Sequence, residues 1–385
     1  MGHPQIQSHN QSPINHANGL ANRPINKVRH DIIVRRYPTM KKDGRVEIQH
    51  YVPQLLLRLH VNDPSARKGT EQVWCFDKMT DKVFSPNIKG ILASSRFYEV
   101  EIDTGVVSLE ASLTKLEDRV TPILARLIRT RKLGEISTDE RQTVAEFCAV
   151  QFIRTQAFRE RIRDLNEGVA NAQQKRGIEP SQVSNFKTLS EEEIKTFSLQ
   201  MLSKAPQTYG PHFLNKHWFL IEGKIEDPFH LGDHPVVVDN DFARDKRGGM
   251  GLASPGVSIY LPLCPTLCLG MTDPLVVSKL FEGERKINTN YKKLEKKISR
   301  RGFTAKGIAV LGQLKEDRDR VNEHINPLKE GTPTAYNHEV VTRVNSLQML
   351  YATRWIISLQ PDFSLPKRMI ADSEKFREGP KLEVE

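Results

Sequence analysis

The sequence predicts an α+β fold, a mostly antiparallel sheet with a helical hairpin and further helices packed on it. Three observations predict it. From Leu109 to Phe152 apolar residues recur at three-to-four spacing, with a helix-capping pair between two runs. From His217 to Leu269 they fall instead in short blocks rich in β-branched and aromatic residues. Helical segments lie on both sides of that strand block along the chain, the segregation expected of α+β rather than alternating architecture.

Residues 1–30 read as a disordered polar lead, rich in Asn, Gln, His and Pro and without the apolar core of a signal peptide. One domain is expected over 31–361, with a charged tail over 362–385. Ile32, Ile33, Val34, Val46 and Ile48 read as extended, and Pro53 stands where a first helical turn tolerates proline. Val73 to Asp77 and Lys82 to Phe84 flank a polar turn and read as a hairpin.

Leu109, Leu113, Leu116, Val120, Ile123, Leu124, Leu127 and Ile128 give one helical face. Ser137 with Glu140 is a capping box, and Val144, Phe147, Cys148, Gln151 and Phe152 carry a second helix, antiparallel to the first. Ser190 with Glu193 opens a third, which Pro206 is expected to end. Strands follow at 217–221, 235–238, 258–263 and 266–269. Ile287, Tyr291, Leu294 and Ile298 then mark an amphipathic helix closed by Gly302. Val340, Val341, Val344, Leu347, Tyr351 and Trp355 predict a last helix over Asn337–Ser358, after which the charged end is expected to fray.

Hydrophobic residues make up 38% of the 385 and charged residues 27%, the balance of a soluble globular chain. No apolar run approaches the roughly 20 residues of a membrane helix. Four scattered cysteines suit a reducing cytoplasm rather than a disulfide framework, and Cys264 and Cys268 read as core thiols. Gly248-Gly249-Met250-Gly251 lacks the Lys-Ser/Thr of a phosphate loop. The formal charge is +10, and from Glu284 to Arg301 eight cations face two carboxylates. Such a run is either a solvated helix face or a surface that attracts phosphates.

The distinctive stretch is His50-Tyr51-Val52-Pro53-Gln54 with Leu57-Arg58. With Val73 to Lys78, Phe97-Tyr98, Leu109-Glu110, Leu116-Glu117, Gln151, Arg154-Thr155, Gly232-Asp233-x-Pro235-Val236, Pro262-Leu263-x-Pro265, Asn345 and Arg354, it resembles the family numbered 4238 among the domains of unknown function. The resemblance implies a shared fold and a shared site, and its bacterial setting points to a defence or toxin role. The chain departs from the family pattern at Leu231-Gly232-Asp233-His234, where a hydroxyl residue before the Asp and an amide after it are more usual.

His50, with an imidazole that exchanges protons near neutrality, is a candidate acid or base; the competing reading is a corner histidine bonded to a backbone carbonyl. Gln54 joins it as a candidate catalytic residue. Arg58, one turn later, is either an anion ligand or an ion-pair partner of Glu110 or Glu117. Asp233 either orients a histidine or helps capture a metal, or it simply forms a turn. Gln151 and Arg154 share a half-buried helix, and Arg154 needs an acceptor, Asp233 or a substrate phosphate. Asn345, Gln348 and Arg354 are placed on the last helix, as ligand contacts or as a buried brace. Lys292, Lys293, Lys296, Lys297, Arg300 and Arg301 are the candidate nucleic-acid contacts. No metal site and no cofactor is identified.

The function expected from these residues is hydrolysis of a nucleic-acid or nucleotide phosphodiester at the meeting of the Pro53 corner and the Asp233 turn. The alternatives are a protein that only binds nucleic acid and an interaction protein whose polar cluster is a structural brace.

Overall fold

The computed structural model describes residues 48–102, 105–176, 188–240, 242, 251–302 and 304–379. The polar lead, the strand expected near Ile32, most of the Gly248 loop and the side chain of Arg301 lie outside the described residues.

Strand β1 (Ile48–His50) runs into the corner at Pro53, whose extended backbone starts the short helix α1 (Gln54–Arg58). β2 (Trp74–Asp77) and β3 (Val83–Phe84) form the expected hairpin. β4 (Ala93–Ser95) pairs with β1, and β5 (Glu99–Ile102) pairs with β6 (Gly105–Ser108). The helical hairpin is α2 (Glu110–Thr130) and α3 (Thr138–Ile153). Ser137 and Glu140 close a capping box at its second helix, and the ion pairs Arg126–Glu140 and Arg119–Glu146 show the two helices running antiparallel.

Thr155 then caps α4 (Gln156–Lys175), which the sequence reading passed over although Phe158, Ile162, Leu165 and Val169 recur at spacings of four, three and four. In α5 (Glu191–Thr208) the Ser190 box is present, but Pro206 stands in the last turn instead of ending the helix. The helix has only two residues beyond that ring, so the missing amide costs little. α6 (Gly210–Leu214) leads into the larger sheet.

That sheet has the order β12-β7-β11-β10-β9, from β7 (His217–Glu222), β9 (Val237–Asn240), β10 (Val257–Cys264), β11 (Leu267–Thr272) and β12 (Pro333–Thr334). Only the β12–β7 pair is parallel. β10 and β11 are buried along their whole lengths, and Gly270 lets the Phe219 ring lie across its partner strand, where a Cβ would stand 2.3 Å from that ring. A second sheet, β3-β2-β13-β8, joins the hairpin to β8 (Leu231–Gly232) and β13 (Trp355–Ser358). The fold is therefore α+β with antiparallel pairing dominant, divided among the described residues into four sheets where one was expected.

Two long helices, α7 (Pro274–Arg301) and α8 (Ala305–Glu330), pack on each other; α8 was not foreseen. α9 (His338–Tyr351) is shorter than predicted. Trp355 continues the apolar spacing of α9, but the chain turns at Ala352 and residues 355–358 become β13, so Arg354 is not helical. The charged end does not fray through residue 377: α10 (Ser364–Asp372) and a following turn of 3-10 helix pack back, with Phe363 stacked on Phe76 at 5.6 Å and Ile370 buried. Among the described residues no helix is long and apolar enough to cross a membrane.

Candidate functional site

The Pro53 corner and the Asp233 turn line one groove through Tyr51 and Asp233, and most of their polar groups are spent on partners from other segments of the fold. The His50 carbonyl accepts from Arg154 Nη2 at 2.7 Å and from the Tyr98 hydroxyl at 2.9 Å. Arg154, only 4% exposed, also donates to that hydroxyl and to Glu117 at 2.6 Å. Its acceptor is thus Glu117 and not Asp233 or an open phosphate site. Gln151 Nε2 donates to the Tyr51 carbonyl at 3.0 Å. A buried guanidinium satisfied on several sides is a strong positional constraint, because breaking one partner leaves the charge uncompensated.

Asp233 is 2% exposed. Its carboxylate accepts from the backbone amides of Thr353, Arg354 and Trp355 at 2.8–3.0 Å and from the Thr353 hydroxyl at 3.0 Å. Burial raises its pKa, while those four donors favour the ionised form. This is what ends α9 and turns the chain into β13. Lys78, fully buried, donates to the Met349 and Ala352 carbonyls at the same helix end; burial lowers its pKa to about 8, with Asp233 acting against that fall. Gln348 bonds the Gly232 amide and the Pro235 carbonyl, and Asn345 bonds His230 N and the Pro228 carbonyl. A Cβ at Gly232 would lie 3.0 Å from the Gln348 carbonyl, so glycine is required by close approach.

His50 Nε2 lies 3.0 Å from the Ile88 carbonyl, and burial, with lesser contributions from Arg154 and Arg58, lowers its pKa to about 4. The corner-histidine reading is the one its geometry matches. Gln54 and Arg58 bond each other at 2.5 Å on α1. Arg354 bonds Asp77 and covers the Trp355 ring at 4.2 Å. His234 is fully buried between Phe152 and Tyr351, with Nδ1 2.6 Å from the Thr155 hydroxyl. Lys292, Lys293, Lys296, Lys297 and Arg300 stand far along α7, exposed. All four cysteines are free and buried, and among the described residues no three His, Cys, Asp or Glu side chains are grouped to hold a metal ion.

Over this brace lies a groove of about 580 Å³, with Tyr51, Asp233, Thr353 and Arg354 in its lining and α4 along one wall. Arg161, Arg163, Arg354 and Arg377 line it together with Glu160, Asp164, Asp233 and Glu378. Formal charge therefore balances, and pairing decides which cation is available. Arg163 is held by Glu191, Arg354 by Asp77, and Arg377 by Asp81 and Glu374. Arg161 lies over the Tyr351 ring at 5.0 Å, and its buried Nη2 has no hydrogen-bond partner among the described residues. Beside it Glu160 lines this groove and an adjoining one, and burial raises its pKa. Sequence reasoning missed both residues, since spacing along the chain does not tell which distant segments line a groove with them.

The signature stretch, the 232–236 turn, Asn345 and Arg354 thus fall in one contiguous brace with the groove above it. A family model described as "Protein of unknown function (DUF4238)" matches residues 48–362. The chain belongs to that family. The match takes in the brace and the Glu160–Arg161 wall, and it stops before α10. No curated protein and no solved structure matches the chain.

Proposed function

We propose that the groove along α4 binds a phosphate-bearing ligand, a nucleotide or a nucleic-acid phosphodiester, and hydrolyses it. The observation that carries this reading is the adjacency of Glu160, whose carboxylate burial makes more basic, and Arg161, a guanidinium with an unmet buried donor. Arg161 would neutralise a phosphoryl oxygen. Glu160 as a carboxylate would take a proton from water while the water oxygen adds to phosphorus. The ester P–O bond then breaks, and the departing oxygen takes its proton from solvent.

The roles first expected of His50 and Asp233 pass to these residues, because His50 Nε2 and both oxygens of Asp233 already have close partners. The same fact favours a second reading, an interaction protein in which the brace is purely structural. The two separate when the protein is incubated with labelled RNA, single-stranded DNA, duplex DNA and bis(4-nitrophenyl) phosphate, with and without Mg²⁺ or Mn²⁺. Cleavage lost in Glu160→Gln at an unchanged melting temperature supports the groove. Cleavage retained there but lost in a folded His50→Ala returns the chemistry to His50. No cleavage of any substrate favours the brace alone.

A further inference from the structure

Helices α7 and α8 form an arm that is fixed at its base and free beyond it. α7 has 28 residues, about 42 Å at 1.5 Å per residue. At the base Lys329 bonds both carboxylate oxygens of Glu284 at 2.6 Å, Val277 and Ile325 are buried, and α8 packs on β7 and β12. From 285 to 324 only Ile298 is buried among the described residues.

The charge on this arm is sorted. At 100° per residue, Arg285, Lys286, Lys292, Lys293, Lys296, Lys297 and Arg300 fall within an arc of about 140°. Ile287, Tyr291, Leu294 and Ile298 occupy the opposite side. Cations so arranged make a ridge about 22 Å long. Lys286 pairs with Glu282, but Lys292, Lys293, Lys296, Lys297 and Arg300 have neither an ion pair nor a hydrogen bond among the described residues. The contrast with α8 is direct: Arg318 and Arg320 there are paired with Asp319 and Asp317. Five like charges left exposed on one face repel one another, and a polyanion is the partner that relieves this.

We infer that the α7 ridge is a docking surface for the phosphate backbone of duplex nucleic acid. A duplex carries one charge per roughly 1.7 Å of axis, so it offers a row of phosphates along the whole ridge. Single strands are held chiefly by stacking on aromatic rings. Of the two aromatics of this helix, Phe281 packs at the base against His217, and Tyr291 is covered by Arg318 at 4.1 Å with its hydroxyl on Glu295. The contact is therefore electrostatic and indifferent to base sequence.

The inference goes beyond the groove reading and does not need it. Binding of fluorescent duplex DNA, duplex RNA of the same sequence, a single strand and phosphatidylserine vesicles is measured for the whole chain. The variant carries Lys292→Glu, Lys293→Glu, Lys296→Glu and Lys297→Glu together. The wild type should bind both duplexes more tightly than the single strand, with a log–log salt slope of about −4 to −5 for five neutralised phosphates. The charge-reversed protein should lose at least tenfold in affinity with an unchanged melting temperature. Wild-type affinity in the charge-reversed protein, no duplex binding, preference for the single strand, or binding to vesicles but not to duplexes would each overturn the inference. Loss of cleavage with ridge binding intact, or the reverse, tells which of the two proposals has failed.

Discussion

Asp233 and Lys296 are both ionisable, and the fold treats them oppositely. Asp233 is closed in by three backbone amides and a hydroxyl, in a region where Arg154, Lys78 and Asp77 are each bonded to specific partners. Lys296 and the cations Lys292, Lys293, Lys297 and Arg300 beside it on α7 have no ion pair or side-chain hydrogen bond among the described residues. In the brace, charge fixes geometry, because a buried ion without its partners is costly. On the arm, charge is left available because water already solvates it. A charged motif is thus ambiguous until burial is known: the signature residues that suggest catalysis are bonded to partners within the fold, and the run that suggests an ordinary solvated helix face is the more available surface.

The comparison is broken most directly at Asp233. Asp233→Ala leaves the amides of 353–355 facing a cavity, and a loss of about 3–5 kcal/mol is expected, read by urea denaturation. A loss near zero would mean that the turn into β13 forms without the carboxylate. Gly232→Ala comes next, at about 1–3 kcal/mol, since the added methyl meets backbone rather than a flexible side chain.

A pH experiment sharpens the contrast further. Burial raises the Glu110 carboxyl to about 7, with Arg154 opposing and Glu117 and Glu99 adding to the rise. A raised carboxyl pKa favours the folded state below the unfolded value near 4.5, and that contribution disappears as pH climbs through 7. Wild-type stability should therefore fall relative to Glu110→Gln between pH 5 and 8, as measured by parallel melting curves. The smallest effect belongs to the arm: Lys296→Glu should change stability by less than about 0.5 kcal/mol. A large loss there would show that the ridge has a structural role.

Apolar periodicity and capping chemistry are local, and they alone determined the α2–α3 hairpin, the boxes at Ser137 and Ser190, the β2–β3 hairpin and the amphipathic face of α7. The meeting of the Pro53 corner with the Asp233 turn was also legible, through the family signature. Tertiary structure decided the rest. Trp355 keeps the spacing of α9, yet Asp233, 120 residues and more away in sequence, turns residues 353–355 into the start of a strand. α4 shows its helical spacing in Phe158, Ile162, Leu165 and Val169, but that spacing does not tell that Glu160 and Arg161 line a groove with Asp233 and Arg354. Whether a cation is paired depends on which carboxylate the fold brings beside it: Arg154 found Glu117 across the helical hairpin, and Arg161 was left with an unmet donor in the groove. Spacing along a chain records which residues share a face; partners contributed by distant segments are set only by packing.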